Sequence, residues 1–165
     1  MCFYPYIFHK IYKKKIVPIS SLEKIININT VNSIHENNNK INVDYSIFNN
    51  KYVLVVDDSI VYKKILYKYL NGKGCYIFYL NNGKEALDSV TLISVDLIIS
   101  DINMPEMNGI EFTKCVRESL HIKTPIILYS TDKHLSEEAY KAGANLFLPK
   151  PFKIKELEEA IFKFI

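Results

Sequence analysis

Six polar residues stand at or just behind short apolar runs, and their types suit a shared chemistry. Asp57 and Asp58 follow "YVLVV", Asp101 follows "VDLIIS", Ser130 and Thr131 follow "TPIILY", and Lys150 lies in "NLFLPKPF". If those runs are neighbouring strands, the six side chains meet at one edge of a sheet. Three carboxylates in one place repel one another and raise each other's pKa. A hard divalent cation removes that conflict, and oxygen donors with no Cys or His among them point to Mg²⁺. Such an ion keeps several waters and needs only two or three protein ligands beside a phosphate. A lysine and a hydroxyl next to it would then grip phosphoryl oxygens.

The elements that must position these residues are legible from residue 51 onward. "YVLVV" (52–56) is a short β-branched run, and "SIVYKKILYKYL" (59–70) repeats apolar residues at helical spacing before closing at "NGKG". "CYIFYL", "VDLIIS", "TPIILYS" and "NLFLPKPF" read as further strands. "NNGKEALDSV", "MNGIEFTKCVRESL", "LSEEAYKAGA" and "KIKELEEAIFKFI" read as helices. Gly143 closes the fourth of the five helices as the residue best suited to a left-handed cap. Five strands alternate with five helices, and continuously apolar strands imply a parallel sheet covered on both faces. The expected class is therefore α/β, doubly wound, with ligands bound outside the carboxyl ends of the strands.

The chain has 165 residues and a mass of 19.2 kDa, enough for one ordinary domain plus a tail. Hydrophobic content of 48% and charged content of 24% exclude global disorder. No run of about 18 apolar residues occurs, so a membrane-spanning helix is not expected. Cys2, Cys75 and Cys115 have no metal-ligand spacing; they suit free thiols in a reducing compartment, and a cytoplasmic location is expected.

The net charge of +3 is unevenly placed. Residues 1–50 carry six lysines against Glu23, Glu36 and Asp44, whereas residues 51–165 carry 15 basic and 15 acidic side chains. A neutral domain gives no reason to expect direct nucleic-acid binding. The first segment is also rich in Asn alternating with Ile or Val, without a helical stripe. Residues 1–50 are thus expected to be an N-terminal extension, mostly linker or disordered, and 51–165 the domain. The aromatic-then-lysine order of the first 19 residues reverses that of a secretory signal. A peripheral membrane anchor would fit it, but a solvated tail is the adopted reading.

"VLVVDDS", "DLIISDINMPEMNGIEF", "TPIILYST" and "FLPKPF", with "NGKEAL" and "KAGA" between them, resemble the receiver domain of two-component response regulators in order and spacing. The resemblance covers residues 51–165. It implies a flavodoxin-like fold with strand order 2-1-3-4-5. It also implies a phosphorylation-dependent signalling switch, which acts on itself rather than as an enzyme with a separate substrate. Asp101 then corresponds to the phosphoacceptor. Asp57 and Asp58 correspond to the acid pair that holds Mg²⁺, together with Asp101 and the main-chain carbonyl of Asn103. Lys150 corresponds to the cation that neutralises the phosphoryl group, preceding a cis Pro151. Ser130 corresponds to the switch hydroxyl and Phe147 to the aromatic that turns inward with it. Asn103 and Asp132 occupy positions that tune how water reaches the acyl phosphate. Thr131 stands where the family usually has a smaller residue, and its bulk is expected to slow turnover.

The implied partners are a histidine kinase or histidine phosphotransfer protein, and a downstream protein. The latter would dock on the fourth helix, fifth strand and fifth helix, near Leu135, Tyr140, Phe147 and Lys155. With no effector segment after the fifth helix, a stand-alone receiver is expected, or the receiver portion of a hybrid kinase. Plainer readings exist for each residue. Asp57 and Asp58 could cap the following helix, Ser130 could be a solvated strand end, Phe147 could be core, and Lys150 could be a surface lysine. Met104-Pro105 and Gly109 read as loop geometry, and His9, His35, His121 and His134 as bystanders. Two other functions remain at this stage: an unphosphorylated pseudo-receiver used as a binding module, and a small Mg²⁺-dependent phosphohydrolase. The second normally spaces its two acids by one residue, unlike adjacent Asp57 and Asp58.

Overall fold

A computed structural model of the chain describes residues 45–165. The expectation of an irregular leader over residues 1–44 falls outside the described residues. The described chain runs β1 (Tyr52–Val56), α1 (Ile60–Leu70), β2 (Tyr76–Leu80), α2 (Gly83–Val90), β3 (Leu97–Asp101) and α3 (Gly109–Lys114). It continues through β4 (Ile126–Ser130), α4 (Ser136–Lys141), β5 (Leu146–Pro149) and α5 (Ile154–Phe162). All five strands lie in one parallel sheet of order β2-β1-β3-β4-β5. That is the flavodoxin-like winding, which places its crevice between β1 and β3 at the carboxyl edge.

Alternation along each strand divides the core into two layers. Leu54, Val56, Ile98, Ile126, Leu128 and Phe147 face one side, where α2, α3, the turn that follows it and α4 supply Ala86, Val90, Ile110, Phe112, Val116 and Ala139. Val53, Val55, Leu97, Ile99, Ile127, Tyr129 and Leu148 face the other, against Leu66, Leu70, Leu157 and Ile161 of α1 and α5. Both faces are covered, which is why these strands read as unbroken apolar runs.

The compact unit begins at Tyr45 rather than at Lys51. Tyr45–Phe48 form a 3₁₀ turn whose Phe48 is fully buried. Its ring meets Phe162 edge-on at 5.4 Å between centroids. Tyr45 donates to the Glu158 carboxylate at 2.9 Å. "YSIF" is too short to register as a periodic element, so burial against α5 was invisible in one dimension.

Two helices also differ in extent from their sequence spans. The α-helical part of α3 ends at Lys114, and Cys115–Ser119 continue as a π-helical turn. A 3₁₀ turn over Lys133–Leu135 precedes α4, capped by the Asp132 carboxylate, which accepts from the His134 N–H. Asn108 opens α3 with a reciprocal capping box to Glu111. Gly143 takes φ +98°, as expected of a left-handed cap, and its missing side chain leaves room for the Arg117 stem. Gly109 is required for a different reason: a Cβ there would sit 2.2 Å from the Asp101 carbonyl oxygen. The loop after β3 therefore folds back directly onto the strand end.

Candidate functional site

Strand register sets the level of each polar side chain. Val56 pairs with Ser100, so Asp57 and Asp101 leave adjacent strands at the same height. Asp101 pairs with Tyr129 and Ser130 with Pro149, which puts Lys150 one residue beyond Ser130. The Lys150 N–H also donates to the Ser130 carbonyl at 2.7 Å, and the Lys150–Pro151 peptide is cis. The sheet thus brings these polar residues to one edge, where Asp58 and Thr131 are exposed and the others are not.

Asp57, Asp58 and Asp101 each present a carboxylate oxygen within 4.8 Å of the other two. Asp57 and Asp101 are buried, whereas Asp58 is exposed. Lys150 Nζ lies 2.7 Å from Asp101 Oδ2 and 3.8 Å from Asp57 Oδ2, its side chain almost wholly buried. The ammonium also sits against two aromatic faces, 3.8 Å from the Tyr62 ring centre and 4.5 Å from that of Tyr129. Asp57 is held twice more: Oδ1 accepts from the Ser59 N–H at 2.6 Å, and Oδ2 accepts from the Tyr129 hydroxyl at 2.5 Å. Burial pushes the Asp57 carboxyl above the ordinary range and Asp101 adds to the rise. The Tyr129 and Ser59 donors and Lys150 pull the other way.

Two like charges about 4 Å apart repel by about 4 kcal/mol at an effective dielectric of about 20. One lysine inside the cluster cannot balance three carboxylates so placed. Lys63 approaches from α1, but its ammonium donates to Asn81 Oδ1 at 2.5 Å, and burial lowers its pKa. The residual negative charge, the all-oxygen donor set and the open side at Asp58 fit a hard divalent cation.

The hydroxyl side of the site is organised by the loops. Asn103 donates its main-chain N–H to Asp101 Oδ1 at 3.3 Å and its side-chain amide to Ser130 Oγ at 3.1 Å. Ser130 is buried, and its Oγ accepts a second bond from the Asp132 N–H at 3.1 Å. Both donors leave the hydroxyl proton of Ser130 uncommitted. Phe147 is buried in the core layer against α4, and its N–H donates to the Tyr140 hydroxyl at 3.3 Å. The helix-cap reading of the acid pair needs correcting: Ser59 is the N-cap of α1, and Asp57 instead accepts from the Ser59 N–H.

Tyr62, Tyr129, Lys63 and Asn81 were missed in the sequence reading. A tyrosine in a fully buried strand carries a detectable signal, because its hydroxyl needs a partner. What it partners lies two strands away, and no local spacing encodes that.

Comparison with known proteins agrees with this geometry. Residues 53–162 match the family model of the response regulator receiver domain. Sporulation initiation phosphotransferase F of Bacillus subtilis is 32% identical over 117 residues, covering 70% of this chain and 94% of that protein. Transcriptional regulatory protein CrdR of Helicobacter pylori is 30% identical over 116 residues, but the match spans 54% of its length. The chain likewise spans 22% of the DNA-binding transcriptional regulator NtrC of Klebsiella pneumoniae. Among solved structures, chemotaxis response regulator CheY4 of Vibrio cholerae superposes with a TM-score of 0.64 at 34% identity, covering 70% of this chain and 99% of that one. The receiver domain of sensor histidine kinase PA1611 from Pseudomonas aeruginosa, solved with a magnesium ion coordinated in its active-site cleft, gives a TM-score of 0.62 at 26% identity. That match covers 70% of this chain and 97% of that one. The chain belongs to the receiver-domain family of two-component response regulators, which are signalling modules. Among the described residues no helix is long and apolar enough to cross a membrane.

Proposed function

We propose that Asp101 accepts a phosphoryl group from the phosphohistidine of a histidine kinase or histidine phosphotransfer protein, and that this switches the domain's binding surface. The observation that carries the reading is the buried Lys150–Asp101 pair at 2.7 Å within a cluster of three carboxylates. A carboxylate oxygen of Asp101 attacks phosphorus, the P–O bond forms as the P–N bond breaks, and the imidazole leaves with its electron pair. Asp57, Asp58, Asp101 and the Asn103 carbonyl are the candidate Mg²⁺ ligands. When bound there, the ion neutralises charge on the phosphoryl oxygens and on the acids. Lys150 pairs with the phosphoryl oxygens from the other side, held in place by the Tyr62 and Tyr129 faces.

Ser130 is the switch hydroxyl in this scheme. Its uncommitted proton turns to a phosphoryl oxygen, which adds roughly −1.5 to −2 charges and three acceptors at the sheet edge. That contact biases a two-state equilibrium only so far as it differs between the states. Phe147 and α4 follow Ser130, altering the face made by α4, β5 and α5, where Tyr140 and Lys155 are exposed. Downstream protein partners dock there. Asn103 and Asp132 orient the water that hydrolyses the acyl phosphate, with a lifetime of minutes rather than days, and Thr131→Ala shortens it. The domain catalyses its own phosphorylation and dephosphorylation and has no separate substrate. The unit of residues 45–165 carries this activity, with the stretch before it an accessory extension.

The test is incubation with acetyl phosphate and Mg²⁺, read by intact mass. The parent gains one phosphoryl group and Asp101→Ala gains none. Labelling that survives the substitution would refute the acceptor assignment.

A further inference from the structure

We propose that Tyr129 is a positioning residue of the cation and phosphoryl site, acting by fixing the carboxylate of Asp57 and the ammonium of Lys150. The inference rests on reading Asp57, Asp58 and Asp101 as Mg²⁺ ligands. Asp57 is fully buried, and its two oxygens are gripped from two different elements. The Ser59 N–H at the head of α1 takes Oδ1, and the Tyr129 hydroxyl at the end of β4 takes Oδ2. Donors on both oxygens hold the carboxylate plane in one orientation. Oδ2 still has a second lone pair for the cleft side after accepting one bond.

Tyr129 itself is firmly set. Its side chain is fully buried, its backbone pairs with Asp101 in the β3–β4 ladder, and its ring meets Phe152 edge-on at 5.7 Å. The same ring and that of Tyr62 flank the Lys150 ammonium. One residue thus touches two charged groups of the site, with its hydroxyl on an acid and its face near the lysine. An aliphatic residue would fill a buried parallel strand without bringing a polar group into it. Burying a phenol O–H is unfavourable unless it finds a partner, and here the partner is a ligating acid. Donors behind a ligating side chain preset its orientation, and their removal typically lowers metal affinity roughly 10–100-fold.

Tyr79 provides an internal control. It is also a buried tyrosine on the α1 and α5 side of the sheet, yet its hydroxyl has no hydrogen-bond partner. Calorimetric titration of the full-length chain with MgCl₂ at neutral pH should therefore separate the two. Tyr129→Phe keeps the ring beside Lys150 and removes only the hydroxyl. It is expected to weaken Mg²⁺ binding by about tenfold, at the low end of that range. Tyr79→Phe is expected to stay within about twofold of the parent.

The Mg²⁺-induced rise in Tm should shrink in Tyr129→Phe alone, which a general loss of packing would not produce. If Tyr129→Phe loses cooperative unfolding, Tyr129→Met, which removes the ring and the hydroxyl together, is expected to lose at least as much affinity. Affinity equal to the parent's, or tighter, overturns the proposal. A parent that binds no Mg²⁺ at millimolar concentration, or whose affinity is untouched by Asp58→Ala, removes the underlying ligand assignment instead. Binding that depends on Asp58 but not on the Tyr129 hydroxyl removes the role of Tyr129 only.

Discussion

At the edge where the strands begin, Arg117 reaches from the π-helical turn after α3 and donates to the carbonyls of Gly143, Ile122 and Thr124 and to the Asn145 amide oxygen, at 2.6–3.0 Å. At the edge where they end, three carboxylates share one close lysine. The first arrangement satisfies a cation with neutral acceptors. The same edge ties its incoming strands with side chains: the Tyr52 N–H donates to Asp96 and the Ile126 N–H to Asn145. The second arrangement leaves like charges facing each other. Charge is settled at one edge and held unsettled at the other, which is where the proposed cation and phosphoryl group would act. The contacts at the stapled edge are local to the strand entrances and touch none of the three acids.

Four experiments would break or sharpen that contrast. The largest effect is expected just ahead of β1, where Phe48→Ala should cost about 3–5 kcal/mol by emptying a fully buried aromatic site against α5. A chain started at Lys51 should lose the same stability, and one started at Tyr45 should retain it. Urea midpoints measure both. Arg117→Ala comes next, at roughly 2–3 kcal/mol, since hydrogen bonds to a charged group are each worth about 1.5–3 kcal/mol before relaxation and rehydration. Its Mg²⁺ affinity should match the parent's. A large loss of affinity would mean the two edges are not separable.

Ligand addition should be comparable in size and opposite in sign. Mg²⁺ at about 100 times its Kd should stabilise the parent by about 2.7 kcal/mol, and Asp58→Ala should show none of that gain. The smallest effect expected is that of Asp57→Asn without Mg²⁺. The Asp57 pKa is raised in the folded state, so protonating it favours folding. Stability from this group is full below the ordinary carboxylate pKa and is lost as pH rises through the raised folded value. Asp57→Asn should therefore be more stable than the parent at pH 7, with the gain fading as pH falls toward 4. A variant less stable than the parent at pH 7 would show that the Tyr129, Ser59 and Lys150 contacts outweigh burial.

The parallel sheet and the convergence of Asp57, Asp58, Asp101, Ser130 and Lys150 were legible in the strand pattern, whereas the strand order came only through the resemblance to receiver domains. Unbroken β-branched runs require cover on both faces, and a parallel sheet puts every strand's last residue at one edge. Less visible were the elements that depend on distant partners. Tyr45–Phe48 have no periodicity of their own and become an element only because Phe162 and Glu158 receive them. Helix α3 changes to a π-turn where Arg117 must reach the β4 and β5 entrances, a demand that the local spacing does not contain.

The sequence by itself determined which chemistry could gather at the sheet edge, because strand polarity and residue order are local properties. The tertiary structure decided how tightly that chemistry is held. Tyr129 reaches Asp57 across an intervening strand, and Tyr62 meets Lys150 from a helix far away in the chain. Such contacts follow from register, from which face of the sheet a side chain takes, and from how the helices pack on it. All three are settled only when the whole domain closes around its core.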